Sequence, residues 1–269
     1  MQQLPYFVID AFASRLFRGN PAGVCALNDW LPDETLQAIA GENNLSETAF
    51  FIPGDSSYKL RWFTPKAEVP LCGHATLATA FAIVRHFSPD LTDLHFDTRS
   101  GILTVRRIAE GDSEWYELEF PLYLPLPAEH PPAELEAAIG AEPVEILATA
   151  EDLNYYVVVA DEGTVRALEP DFGMLAELRP HGVAVTARGA SADFVSRYFA
   201  PGYGIPEDPV TGSTHTALTP YWAARLQKTS LSAAQLSQRG GELRCRVAGD
   251  RVRIAGQAIT YLEGAIFIP

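Results

Sequence analysis

The segment Arg61-Trp62-Phe63-Thr64-Pro65 occurs a second time as Arg197-Tyr198-Phe199-Ala200-Pro201. Each copy is soon followed by a glycine that opens an apolar run, in Pro70-Leu71-Cys72-Gly73-His74 and in Pro209-Val210-Thr211-Gly212-Ser213. This repeat predicts two similar domains, each with a helix that begins near its glycine. The copies differ most on either side of that glycine, where we expect the chemistry.

Composition limits the classes of function. The chain has 269 residues, a formal charge of −14 and a mean hydropathy of +0.01. Nucleic acids and anionic membranes bind basic surfaces, so neither is expected as a partner. The sequence shows no apolar run of about 18 residues and no signal peptide at its start, which predicts a cytoplasmic protein.

The predicted elements favour an α+β fold. The run from residue 75 to 84 is apolar on all sides, so the helix predicted over 74–86 needs burial on every face, as inside a curled sheet. Strands dominate elsewhere, including one predicted over 235–239, while 17–24 is predicted to be a loop. A second central helix is predicted over 213–226. A proline-rich stretch at 121–132 separates an N-terminal domain, 1–117, from a C-terminal domain, 118–257.

Glu47 is the strongest candidate for proton transfer. It stands where a loop enters the strongly apolar segment Thr48-Ala49-Phe50-Phe51. Apolar neighbours disfavour the charged form of a carboxylate, which suits it to exchange protons near neutrality. The alternative is a solvated acid at the edge of a strand.

Cys72 and His74 flank the first glycine at a helix start. A neutral His74 there can polarise a carbonyl group or hold a carboxylate; otherwise it has a structural hydrogen bond. Cys72 is either a thiol acid/base activated by the helix terminus or a small buried residue. A two-thiol mechanism needs a second cysteine at the matching position, which is Thr211.

The second copy supplies further candidates. Asp208 either binds an amine or hydroxyl group of a ligand or stabilises an Asp-Pro turn. Ser213 either donates to a carboxylate or caps its helix. Asn20, before Pro21, is an Asx-turn candidate with a second role at the site.

Spacings typical of metal or nucleotide sites are missing from the sequence. It contains no H-x-x-x-H, C-x-x-C, P-loop or G-x-G-x-x-G pattern, so neither a metal nor a dinucleotide is expected. Helix N termini bind carboxylates readily, and Gly73 and Gly212 let a ligand approach the backbone.

Five motifs stand in order along nearly the whole chain. They are Phe17-Arg18-Gly19-Asn20-Pro21-Ala22-Gly23-Val24, Asn44-Leu45-Ser46-Glu47-Thr48-Ala49-Phe50, Arg61-Trp62-Phe63-Thr64-Pro65, Glu68-Val69-Pro70-Leu71-Cys72-Gly73-His74-Ala75-Thr76 and Glu207-Asp208-Pro209-Val210-Thr211-Gly212-Ser213. In these motifs and in their order, the chain resembles the phenazine-biosynthesis PhzF-like family. The resemblance implies the diaminopimelate-epimerase-like fold, in which each of two domains is a barrel-like mixed sheet around a central helix. The last strand, about 258–269, is then expected to return to the first domain.

The resemblance also implies a function. The family's characterised reaction isomerises trans-2,3-dihydro-3-hydroxyanthranilate without a metal or organic cofactor, in an enzyme that is often a homodimer. By analogy Glu47 moves the proton, while His74 and Asp208 orient the substrate. The remaining candidates surround the substrate, a small carboxylic acid: Asn20, Cys72, Gly73, Thr211, Gly212 and Ser213.

We therefore predict a cofactor-independent isomerase of a small, cyclic amino or hydroxy carboxylic acid. One alternative is an amino-acid epimerase or racemase, which would exchange a proton at Cα with inversion and depend on Cys72. Another is a non-catalytic small-molecule binding protein, which would bind ligands without proton exchange.

Overall fold

The computed structural model describes residues 1–152 and 154–269. Its strands are β1 (Gln2–Ala11), β2 (Asn20–Ala26), β3 (Glu47–Pro53), β4 (Tyr58–Phe63), β5 (Glu68–Val69), β6 (Asp93–Thr98), β7 (Gly101–Glu110), β8 (Ser113–Pro121), β9 (Leu126–Pro127), β10 (Glu145–Ala148), β11 (Asn154–Val158), β12 (Gly182–Arg188), β13 (Phe194–Ala200), β14 (Ile205–Asp208), β15 (Ser230–Gln235), β16 (Gly241–Ala248), β17 (Arg251–Gly256) and β18 (Ala258–Ile268). Its α-helices are α1 (Asp33–Asn43), α2 (Gly73–His86), α3 (Leu135–Ile139), α4 (Glu162–Arg166), α5 (Phe172–Glu177) and α6 (His215–Leu226). No helix in these residues is long and apolar enough to span a bilayer.

The mixed sheet and few helices confirm the predicted α+β fold, and the chain divides into two compact units. The first unit contains Met1–Glu119 and Ala255–Pro269, and the second contains Phe120–Ile254. The last strand, β18, belongs to the first unit, because it pairs antiparallel with β1 from Gln2↔Ile268 to Ala11↔Ala258.

The first unit is a mixed sheet around α2. Its strands follow one another in the order β18-β1-β2-β3-β4-β6-β7-β8, with parallel pairs at β2–β3 and β4–β6. Helix α2 is buried from His74 to Val84 and contacts β18, β1, β2, β3 and β7. Because a helix that is apolar all round has no face for water, the sheet encloses it. Helix α1 covers the other side of β1–β3 through Leu36, Ile39 and Ala40.

The second unit repeats the pairing pattern of the first. The pairs β10–β11, β12–β13 and β15–β16 are antiparallel, and the pairs β11–β12 and β13–β15 are parallel. Helix α6 packs on β15 and β16, and α3–α5 pack with the core of β11–β13. The duplication seen in the sequence is therefore a duplication of topology.

The repeated Arg-x-Phe motif forms the same clamp in each unit. Nε and Nη2 of Arg61 donate to the two carboxylate oxygens of Glu68, both at 2.8 Å, and the guanidinium lies 5.1 Å from the Phe63 ring centroid. Arg197 donates to Glu207 at 2.7 and 3.0 Å and lies 5.0 Å from the Phe199 centroid. A planar guanidinium matches a carboxylate and an aromatic face at once, which explains why the arginine and phenylalanine recur together.

Several predicted elements need correction. The strand predicted over 235–239 is instead β15, which ends at Gln235; Gly240, at φ 65°, belongs to the turn that follows. The predicted loop 17–24 becomes strand from Asn20, since β2 pairs with both β1 and β3. Gly23 allows that pairing, because a Cβ there would lie 2.2 Å from the Tyr6 hydroxyl oxygen. The sequence reading missed β10 and α4, which are both short.

Candidate active site

Three candidate side chains of the first unit form one cluster. The Glu47 Oε2 atom lies 3.2 Å from Nε2 of His74, and the other ring nitrogen, Nδ1, lies 3.5 Å from the Cys72 Sγ atom. Glu47 opens β3, while Cys72 and His74 bracket the first residue of α2. The fold thus joins Glu47 to the glycine motif and places one imidazole between a carboxylate and a thiol.

Burial sets the charge of His74. The residue is 8% exposed, and desolvation lowers the pKa of its imidazole to about 4. A neutral imidazole has one N–H donor and one acceptor nitrogen, so the two sides of the ring have opposite roles. The Glu47 contact is not aligned as a hydrogen bond, as is common in catalytic sites before substrate binds.

The same cluster bears on metal binding. Glu47, Cys72 and His74 each bring one potential ligand atom within 4.8 Å of the others. All three, however, lie at the N terminus of α2, where the helix dipole and the amide N–H groups favour an anion. These surroundings favour an anionic ligand over a cation.

Asn20 lies close to this cluster in the sheet. It is fully buried at the start of β2, two positions before Ala22, which is the parallel partner of Glu47. The structure thus brings the Asn20 end of β2 to the Glu47 end of β3.

In the second unit, two further candidates, Asp208 and Thr211, share a hydrogen-bond network with Gln235. The Thr211 hydroxyl donates to Oδ2 of Asp208, and the Thr211 amide donates to Oε1 of Gln235 at 2.8 Å. The Gln235 amide nitrogen donates to the Asp208 carbonyl oxygen at 2.8 Å and to the Thr211 hydroxyl at 3.1 Å. The position that matches Cys72 is therefore tied to a carboxylate and an amide, which disfavours a two-thiol mechanism.

Sequence reasoning missed Gln235 as a site residue. Its side chain is 1% exposed and forms hydrogen bonds with both Thr211 and Asp208. No local pattern marks it, because only the pairing of β15 with β13 brings it to that loop.

Ser213 does not cap the second central helix. Helix α6 begins at His215 with Thr214 as its N-cap, whereas Gly212 and Ser213 form a preceding turn whose carbonyl groups accept from the amides of His215 and Thr216, both at 3.1 Å. Ser213 is an exposed residue of this turn, one position before the N-cap.

His215 is a structural residue by its contacts. It is fully buried, and its Nδ1 lies 2.8 Å from the Thr211 carbonyl oxygen, so Nδ1 is the protonated nitrogen. Burial lowers the pKa of this imidazole to about 4.

We expect His215 to make stability depend on pH. Its pKa is lower in the folded chain than in the unfolded chain, so the unfolded state binds more protons between about pH 6.5 and 4 and stability falls as the pH falls through that window. One such group contributes about 2 kcal/mol between pH 7 and pH 5. Denaturant unfolding of His215→Asn at both values should show a loss smaller by about this amount, whereas the exposed His130→Asn should match the wild type. An unchanged loss in His215→Asn would contradict the role of His215.

The chain is similar to known proteins over nearly its whole length. The family model for PhzC-PhzF, described as phenazine biosynthesis-like protein, matches residues 9–264. An uncharacterized isomerase of Pseudomonas aeruginosa is 53% identical over 266 residues, which cover 99% of this chain and 100% of that protein. A mouse phenazine biosynthesis-like domain-containing protein is 41% identical and covers 98% of this chain and 99% of its own.

Solved structures share the fold of this chain. The crystal structure of a PhzF-family protein from Enterococcus faecalis matches with a TM-score of 0.93 and 46% identity, covering 99% of this chain and 100% of that one. A predicted epimerase from Pseudomonas aeruginosa matches with a TM-score of 0.74 at 19% identity, covering 99% and 100% of the two chains, a likeness of fold alone.

Proposed function

The chain belongs to the phenazine biosynthesis-like protein (PhzF) family, whose relatives include named isomerases, and on that premise we propose that it is a cofactor-independent isomerase that moves a proton on a small, cyclic amino or hydroxy carboxylic acid. The observation that carries the proposal is the 3.2 Å contact between Glu47 and a His74 that burial holds neutral.

Glu47 is the proposed acid and base. Its carboxylate takes a proton from an activated C–H bond, becomes a carboxylic acid, and returns the proton to another atom of the conjugated system. Its side chain is 13% exposed, so it can reach a ligand while most of its surface is shielded from bulk water. Positioned proton transfer of this kind contributes roughly 10²- to 10⁴-fold.

His74 and the start of α2 are proposed to hold the substrate. A neutral imidazole next to Glu47 supplies one donor without attracting the proton that Glu47 must carry. The amide groups of the first helical turn, from Gly73 onward, lack acceptors within the helix and suit a carboxylate. Roles in substrate binding stay predictions for Asn20, Asp208, Thr211, Gly212 and Ser213. Asp208→Asn tests this role for Asp208 through its effect on ligand affinity. The homodimer also stays a prediction, which light scattering tests.

Binding should be detectable before the substrate is known. A small cyclic carboxylic acid at 100 times its dissociation constant should stabilise the folded protein by about 2.7 kcal/mol and raise the melting temperature. A thermal-shift screen of cyclic and aromatic carboxylic acids measures this. Proton NMR of the hits in D₂O then distinguishes the classes, because an isomerase exchanges a substrate C–H proton with solvent and a binding protein does not. If every hit binds and none exchanges a proton with solvent, the proposed reaction is contradicted.

A further inference from the structure

Gln235 binds three polar atoms of the loop that carries Asp208 and Thr211. Its Oε1 accepts from the Thr211 amide at 2.8 Å, and its Nε2 donates to the Asp208 carbonyl oxygen at 2.8 Å and to the Thr211 hydroxyl oxygen at 3.1 Å. The residue is only 1% exposed, so water competes little for these contacts. A buried amide whose oxygen and nitrogen are both bonded within the protein has a fixed orientation.

The partners also fix the direction of these hydrogen bonds. The Thr211 amide can only donate and the Asp208 carbonyl oxygen can only accept, which identifies the oxygen and the nitrogen of the Gln235 side chain. The Thr211 hydroxyl oxygen accepts from that nitrogen, so its single proton is available to Oδ2 of Asp208, to which it donates. A chain of donors thus runs from Gln235 through Thr211 to the Asp208 carboxylate.

The backbone around this carboxylate is held as well. The Ser237 hydroxyl donates to the Pro209 carbonyl oxygen at 2.8 Å, and Nδ1 of His215 donates to the Thr211 carbonyl oxygen at 2.8 Å. These contacts fix the chain on the C-terminal side of Asp208 but leave rotation of its side chain. The Thr211 hydroxyl restricts that rotation, so the direction of the carboxylate depends on the residue that orients the hydroxyl.

We propose that Gln235 is a positioning residue for substrate binding: through the Thr211 hydroxyl, it directs the Asp208 carboxylate toward an amino or hydroxyl donor of the ligand. This role rests on the proposed function, in which Asp208 contacts the substrate, and Gln235 acts without touching the ligand. Since an ionised carboxylate only accepts hydrogen bonds, the site prefers ligands that carry a donor. That preference requires all three residues.

The test compares the affinities of 2-aminobenzoate and benzoate, which differ in one donor group, by isothermal titration calorimetry. Wild-type protein should bind 2-aminobenzoate at least about tenfold more tightly, because the contact to Asp208 is charge-assisted. Gln235→Met and Thr211→Val should each reduce this preference to about twofold or less and leave benzoate affinity within about twofold. Thr211→Ser, which keeps the hydroxyl, should retain the preference.

Two further variants sharpen the comparison. The double variant of Gln235→Met and Thr211→Val should lose no more of the preference than either single variant, because the two residues act in one chain. Gln238→Met makes the matched change at an exposed position three residues along and should behave as the wild type. Where Gln235→Met does not fold, Gln235→Glu takes its place. The glutamate keeps an acceptor for the Thr211 amide, and its carboxylate draws the hydroxyl proton away from Asp208.

Each outcome supports or overturns the role of Gln235. A wild-type protein without the preference, a preference that survives in folded Asp208→Asn, or additive losses in the double variant would overturn it. Equal weakening of both ligands in the Gln235 variant would mean a purely structural role and would overturn it too. Affinity is measured without turnover, so an intact preference without proton exchange would contradict the isomerase and not the role of Gln235.

Discussion

Glu47→Gln should lower solvent-proton exchange into a bound cyclic acid by about 10²- to 10⁴-fold. The amide keeps the size and the polar contact to His74 but cannot accept and return a proton. Because the side chain is largely buried beside a neutral imidazole, neither solvent nor His74 is placed to take over its role. Exchange followed by proton NMR in D₂O, with a hit from the thermal-shift screen, measures the effect.

A matched control separates chemistry from folding. Glu42→Gln makes the same change at an exposed position of α1 in the same unit and should exchange protons at the wild-type rate. Both variants should bind the ligand, since the proposed carboxylate site at α2 is intact in each. A Glu47→Gln protein that exchanges at full rate would exclude Glu47 as the proton carrier.

Arg197→Met should lower the free energy of unfolding by about 3 kcal/mol. The change keeps an apolar stem over Phe199 but leaves the Glu207 carboxylate without its two charged hydrogen bonds. It also removes the donors to the carbonyl oxygens of Val165 and Leu168. The two side chains are only 12% and 18% exposed, so water compensates little.

The control for this prediction lies in the same unit. Arg166 pairs with Glu162 within α4 but is 58% exposed, so Arg166→Met should cost less than about 1 kcal/mol. Denaturant unfolding of the two variants compares a buried clamp with a surface ion pair. Equal losses would mean that the repeated arginine motif does not stabilise the fold beyond an ordinary surface pair.

Local patterns predicted most of the architecture. The doubled Arg-x-Phe motif anticipated two units with one topology, and the apolar run of α2 anticipated a helix enclosed by a sheet. The errors fall where structure depends on distant partners. The bounds of β15 depend on its parallel pairing with β13, so local sequence places the strand several residues too late. The elements β10 and α4 are short and lack a long periodic pattern.

Contacts between side chains are harder to predict from the sequence than helices and strands. Local sequence marks Glu47 and His74 as two independent candidates, and only the position of β3 relative to α2 shows that they are in contact. Gln235 had no local signal at all, although it holds both Asp208 and Thr211. A hydrogen-bond partner far along the chain leaves no mark on its own neighbourhood in the sequence.

The sequence by itself determined the duplication, the two glycines near the starts of the central helices and the mismatch of Cys72 with Thr211, because these are properties of residue identity and order. Only the tertiary structure decided that His74 is neutral and lies between Glu47 and Cys72. The physical reason is that charge state depends on desolvation and on distances between atoms. Both arise when the sheet closes around α2, and neither is encoded in a residue's immediate neighbours.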